Sequence, residues 1–190
     1  MKERTKKISV LFIALFIISI MVASVLNFGL PSNDAAQQAT LTYNGYDFFP
    51  TNIGGWMTEK DGKQIALTYN PQQLEDIFFD EIDFTTLKLS EKVYLSLDAN
   101  NNNLAIAAND IIRNMAFPKI VRACPEDIPG CENFPLKNCE DSTDPTGVIY
   151  LKENETRIVQ LEKNCLFIQA PSYDLLKIVD KIIYKELGIA

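Results

Sequence analysis

The sequence predicts an α+β or α/β domain, a mixed sheet with two main helices and N-terminal β-hairpins, carried on one N-terminal transmembrane helix. Three observations lead there. An uncharged apolar run fills residues 8–30. Two Gly-containing turns sit between β-prone flanks in residues 41–69. Strand and helix patterns then alternate from residue 92 to the end. The expected organisation is a basic cytoplasmic tail (1–7), a transmembrane helix (8–30), a linker (31–40) and an extracytoplasmic domain (41–190).

The run from Ile8 to Leu30 reads ISVLFIALFIISIMVASVLNFGL, with Ser9, Ser19, Ser24 and Asn27 its only clearly polar residues. As a helix it spans roughly 34 Å, enough for a hydrocarbon core of about 30 Å. A helix on the surface of a globular core would carry a polar stripe, and this run has none. Lys2, Arg4, Lys6 and Lys7 precede it, and no Lys or Arg follows until Lys60. The positive-inside bias places the N-terminus in the cytoplasm and the domain outside. The competing reading is a cleaved signal peptide. That reading is disfavoured by the length of the apolar segment and by the absence of a clean A-x-A site after Ala23-Ser24. The linker PSNDAAQQAT is small and polar.

Residues 1–7 carry four basic side chains against Glu3, so the rest of this net −7 chain holds a charge of −10. Such a surface repels phosphate backbones, and nucleic acid is not an expected partner. Four cysteines, Cys124, Cys131, Cys139 and Cys165, all fall in the outer part. An even count in an exported domain points to two disulfides. Three pairings are open. Cys124–Cys131 with Cys139–Cys165 is favoured, because the first closes the loop locally and the second ties its exit to the strand before the last helix. Zinc is disfavoured by the wide gaps and by the lack of any His. Asn154 opens the one N-x-[ST] sequon, a candidate glycosylation site on this topology.

Along the domain, Asn44-Gly45 and Asp61-Gly62 suit the φ > 0 positions of two-residue hairpin turns. Asn70-Pro71 reads as a helix start, with a helix over Gln72–Phe79 burying Leu74, Ile77 and Phe78. Lys92–Leu97 has the apolar density of a buried strand. A helix from about Leu104 to Ala116 follows, with Leu104, Ala107, Ala108, Ile111, Ile112 and Met115 on one face, ended by Pro118. Lys119–Ala123 is a short strand. Residues 124–146 form a long loop whose tolerance disulfides explain. Strands are expected at Gly147–Leu151, Thr156–Leu161 and Cys165–Gln169. A last helix begins after Pro171, with Leu175, Ile178, Val179, Ile182 and Ile183 inward and Gly188 at its C-terminal cap.

Several marks occur together: a Gly-Trp hairpin within YNGYDFFPTNIGGWMTEKDGKQIALTYNPQQLEDI, the N-P helix start, the CENFPLKNC loop, and the ending CLFIQAPSYDLLKIVDKIIYKELGI. By these marks, most of residues 43–189 resembles uncharacterised membrane-anchored archaeal proteins with an extracytoplasmic four-cysteine α/β module. The resemblance implies an architecture and a location, and carries over no catalytic residue.

Chemistry is sparse. Without His, Ser–His and Cys–His nucleophilic machinery is excluded. Ser90-Glu91-Lys92, at a strand edge, gives a Ser–Lys pair no support beyond the two residue types. Asp76, Asp80, Glu81 and Asp83 read as a solvated face. Residues 140–144 lack the spaced register of a calcium loop. No phosphate loop is present and no cofactor is expected. The remaining candidate is an aromatic binding patch of Tyr43, Tyr46, Phe48, Phe49 and Trp56 beside the membrane stem. The leading expectation is therefore an anchored envelope module with an envelope protein or glycan as partner. The alternative is an exported enzyme using carboxylates.

Overall fold

The computed structural model describes residues 17–19, 21 and 40–190. Residues 17–19 and 21 are helical; the rest of the apolar run Ile8–Leu30 lies outside the described residues. Among the described residues, no helix is long and apolar enough to cross a membrane.

Residues 40–190 fall in one compact unit. It is an α+β structure with two sheets. The first sheet is a meander of β1 (Leu41–Tyr43), β2 (Tyr46–Pro50), β3 (Trp56–Lys60) and β4 (Lys63–Leu67), paired in that order and antiparallel throughout. Both two-residue turns adopt the left-handed geometry their residues favour. Asn44 and Gly45 have φ of 49° and 83°, and Asp61 and Gly62 have 52° and 75°.

After β4 the chain forms a single 3-10 turn, Pro71–Leu74, and not the helix expected over Gln72–Phe79. Asn70 and Gln73 close a reciprocal capping box there. Pro71 and Leu74 are buried in the turn and only Ile77 beyond it, a spacing of three that suits a 3-10 turn. Phe78, expected inward, is 77% exposed. With Ile77 the one buried residue past the turn, the segment lacks what would hold a longer helix. A short helix not anticipated from the pattern, α1 (Thr85–Leu89), follows.

The second sheet has the order β6-β5-β7-β9-β8, built from β5 (Lys92–Ser96), β6 (Ile120–Ala123), β7 (Thr146–Glu153), β8 (Ile158–Glu162) and β9 (Cys165–Ala170). β6, β5, β7 and β9 are parallel, and β8 runs antiparallel at one edge. The parallel order needs crossovers. Helix α2 (Asn102–Asn114) joins β5 to β6, and residues 124–145 carry the chain back across β5 to β7.

α2 and the C-terminal helix α3 (Ser172–Glu186) pack on each other and lie between the two sheets. This placement explains why their buried surface is wider than a single apolar stripe. Leu104, Ala107, Ala108 and Ile111 are buried as expected, and so are Leu175, Ile178, Val179, Ile182 and Ile183. Asp110, Asn114, Asp174, Asp180 and Tyr184 are buried as well. Ile112, expected on the inner face of α2, instead points out at 37% exposure. The Asn114 carboxamide donates to the Ala66 carbonyl of β4 at 3.3 Å, and the Tyr184 hydroxyl donates to the Tyr69 carbonyl at 2.9 Å. Gly188 takes φ 64° just past α3.

Candidate functional site

The five expected patch residues do not form one exposed face. Alternation along β2 sends Phe48 and Phe49 to opposite sides. Phe48 is fully buried and meets the Tyr184 ring edge-on, with centroids 5.7 Å apart. Tyr43, Tyr46 and Trp56 lie partly buried against the same core, and Phe49 alone turns outward. The first sheet's aromatics are thus largely the inner wall of a core layer.

A different aromatic pair stands open. Along β5, β7 and β9, the residues Leu95, Ile149, Leu151, Leu166 and Ile168 face the helices and join the core. Period-two alternation turns Ser96, Tyr150, Lys152 and Phe167 to the other side of the sheet. Register places Ser96, Tyr150, Phe167 and Gln160 in one row across β5, β7, β9 and β8. The Tyr150 and Phe167 rings lie side by side, with centroids 5.3 Å apart and planes tilted by 56°.

The cysteine loop is laid over this face. Cys139 is bonded to Cys165 at the start of β9, and Cys124 to Cys131 within the loop. The Ser96 hydroxyl donates to the Lys137 carbonyl, and the Lys137 ammonium sits over the Tyr94 ring, 5.6 Å from its centroid. Asn138 caps a 3-10 turn at Cys139–Asp141, accepting from the Glu140 N–H at 2.8 Å, and Asp141 answers by accepting from the Asn138 N–H at 2.9 Å. Those backbone contacts, with the Lys137 ammonium beside it, hold the Asp141 carboxyl below the usual carboxylate range.

Between the pinned loop and the sheet runs a groove of about 430 Å³. Tyr150 and Phe167 form its floor, and Glu126, Asn138, Glu140 and Gln160 stand around it. Burial, and then the nearby Glu126 carboxylate, raise the pKa of the Tyr150 hydroxyl, which therefore stays a neutral donor at physiological pH. A second groove of about 370 Å³ continues past Tyr150 and Lys152 to Asp98, Asn101 and Glu153. It lies at the carboxyl ends of β5 and β7, where the chain leaves β5 toward β6 and returns on the far side at β7. Open parallel sheets bind ligands at such a reversal of strand order. Asn101 caps α2 there, accepting from the Asn103 and Leu104 N–H groups, and its amide donates to Glu153.

Three buried carboxylates among the described residues lie elsewhere: Asp174, which is paired with Arg157, and Asp110 and Asp180, which face no cation so directly. Asp110 of α2 and Asp180 of α3 face the first sheet and line neither groove. Asp180 accepts from the Tyr69 N–H at 2.8 Å, while its other oxygen and one oxygen of Asp110 have no hydrogen-bond partner among the described residues. Burial pushes Asp110 up to about 6, partly opposed by Arg113. Burial, reinforced by the Asp110 charge, pushes Asp180 well above the carboxylate range.

Among the described residues, no three His, Cys, Asp or Glu side chains gather to hold a metal ion. Asn154 is exposed in the turn between β7 and β8. Tyr150 and Phe167 were not singled out in the sequence. Their signal is an aromatic at the off-core phase of two aliphatic strands, VIYLK and CLFIQ, and it acquires meaning only once β7 is known to pair with β9. No protein-family model matches the chain, and no curated protein or solved structure is found to be similar to it.

Proposed function

We propose that this chain is a membrane-anchored, extracytoplasmic binding module of the cell envelope, engaging its partner at the groove over Tyr150 and Phe167. One observation carries the reading: a disulfide-pinned loop covers the outer face of the second sheet yet leaves that aromatic pair accessible in a groove with a polar rim. Ligand sites have this composition, an apolar floor with a few placed polar groups. The location rests on the basic flank before the apolar run Ile8–Leu30, which favours an N-in anchor. Two disulfides suit an oxidising compartment, and the archaeal resemblance of the sequence agrees with both.

The alternative, an exported enzyme using carboxylates, requires two acids converging in a cleft. The acids whose ionisation the fold perturbs most, Asp110 and Asp180, sit between helix and sheet away from either groove, so the binding reading is preferred. Crosslinking and capture from native membranes tests it. The wild-type chain should retain a partner that Tyr150→Ala/Phe167→Ala loses, with the melting temperature of the domain held within a few degrees. Equal capture by both proteins would sink the groove as the binding surface.

A further inference from the structure

Resting on the reading of the groove as the binding surface, we propose that its ligand is a neutral glycan, with sugar rings stacked on Tyr150 and Phe167 and their hydroxyls held by the polar rim. The floor supplies the first argument. Two aromatic rings 5.3 Å apart, with planes tilted by 56°, line the floor as adjoining inclined faces against which a sugar ring can stack. The negative faces of aromatic rings attract the weakly positive C–H groups on one side of a pyranose. Both side chains are only partly exposed and sit on neighbouring strands of a buried parallel pair, so the platform is rigid before any ligand arrives.

The rim supplies the second. It mixes acceptors, the Glu126 and Glu140 carboxylates, with donors, the Lys152 ammonium and the Gln160 amide, around one floor. Gln160 stands directly opposite Phe167 in the β8–β9 register, so its amide borders the ring. A hydroxyl both donates and accepts, and a ring bearing several of them can use carboxylates and ammonium together. A simple anion would face Glu126 and Glu140, and a simple cation would face Lys152. A polyol leaves none of these groups opposed. The Tyr150 hydroxyl, kept protonated, adds one more group of both kinds.

The third argument is size. The groove of about 430 Å³ falls within the roughly 300–1,000 Å³ of small-ligand sites. It continues through Tyr150 and Lys152 into the second groove, which gives a linear chain of rings a path across the end of the sheet toward Asn101 and Glu153.

The test uses the full chain in lipid nanodiscs, so that no sugar-headed detergent competes. Saturation-transfer NMR is recorded with neutral trisaccharides of glucose, mannose and N-acetylglucosamine, and separately with spermidine as the cationic probe. At least one trisaccharide should receive transfer at its ring protons. Tyr150→Ala and Phe167→Ala should each weaken it by roughly tenfold or more, a loss of about 1.4 kcal/mol. Tyr150→Phe should keep most of it, and Gln160→Ala, at an exposed position, should weaken it with the melting temperature unchanged. The proposal is overturned if no trisaccharide receives transfer, if transfer survives in Tyr150→Ala/Phe167→Ala, or if spermidine alone binds. Where membrane capture of a protein still depends on Tyr150 and Phe167, the groove remains the binding surface and only the glycan falls.

Discussion

At the scale of single residues, the fold places two carboxylic acids where burial disfavours their charge. Asp110 is raised to about 6 in the folded protein against an ordinary value near 3.8. The folded state therefore binds the extra proton more tightly than the unfolded chain. Stability from this group is complete below about pH 4 and is lost as pH rises through 6. Asp180 acts in the same direction, since it too is raised. Melting temperature should accordingly fall between pH 4 and 7, and Asp110→Asn should flatten that fall, stabilising the domain by about 2–3 kcal/mol at pH 7 and hardly at all at pH 4. Parallel pH profiles of wild type and variant would dismiss the assignment. The aromatic residues of β2 give a second contrast. Phe48→Ala should cost roughly 3–5 kcal/mol in a denaturant titration, because it empties the space against Tyr184. Phe49→Ala, at a position 42% exposed, should change the midpoint little. A large loss at Phe49 would mean that the alternation is misassigned.

At the scale of elements, what could be foreseen divides cleanly by range. The hairpin turns were legible because Asn44-Gly45 and Asp61-Gly62 satisfy a local backbone demand that few other pairs meet. The inner faces of α2 and α3 were legible from their spacing, Ile112 excepted. The short 3-10 turn was not, because Asn70-Pro71 signals a helix start equally well for one turn or three, and only burial decides. Nor was Asp110 or Asp180, since an acid among apolar residues reads as solvated until a second sheet is laid on that side of the helix. The order β6-β5-β7-β9-β8 depends wholly on long-range pairing, and the groove depends on that order. Gly147 shows how tightly the elements meet. A Cβ there would approach a Leu87 methyl of α1 to 2.5 Å and the Ser90 hydroxyl to 3.0 Å. Gly147→Ala should cost about 1–3 kcal/mol by prising α1 from β7, and an unchanged denaturation midpoint would contradict that packing. The loop is the other test. Cys139→Ser/Cys165→Ser removes a cross-link spanning 26 residues and should cost about 2–4 kcal/mol. Limited proteolysis should then cut within residues 125–138, and resistance equal to wild type would show that the loop is held by its other contacts.

For the whole molecule, the proposed N-in, C-out arrangement has a direct check: a tag placed after Ala190 should be digested by protease added to intact cells, and protection until lysis would reverse the orientation. The placement of α3 bears on how the domain is made. The first sheet rests on α2 through β4 and is tied to the last helix and the residues after it. Tyr69 is held through both its N–H and its carbonyl by Asp180 and Tyr184, the Asn44 amide donates to the Ile189 carbonyl, and Lys60 donates to the Leu187 carbonyl. These contacts join residues separated by 111 to 145 positions in the chain. Helix α2 reaches β4 earlier in synthesis, but until residues 180–189 have been made Phe48 lacks the Tyr184 ring and Tyr69 lacks both its partners, so the first sheet is completed only by the helix made last. Assembly dominated by such distant partners is slow. If the chain is exported as proposed, its first sheet would thus stay incomplete, and easily unfolded for transport, until nearly all of it has passed.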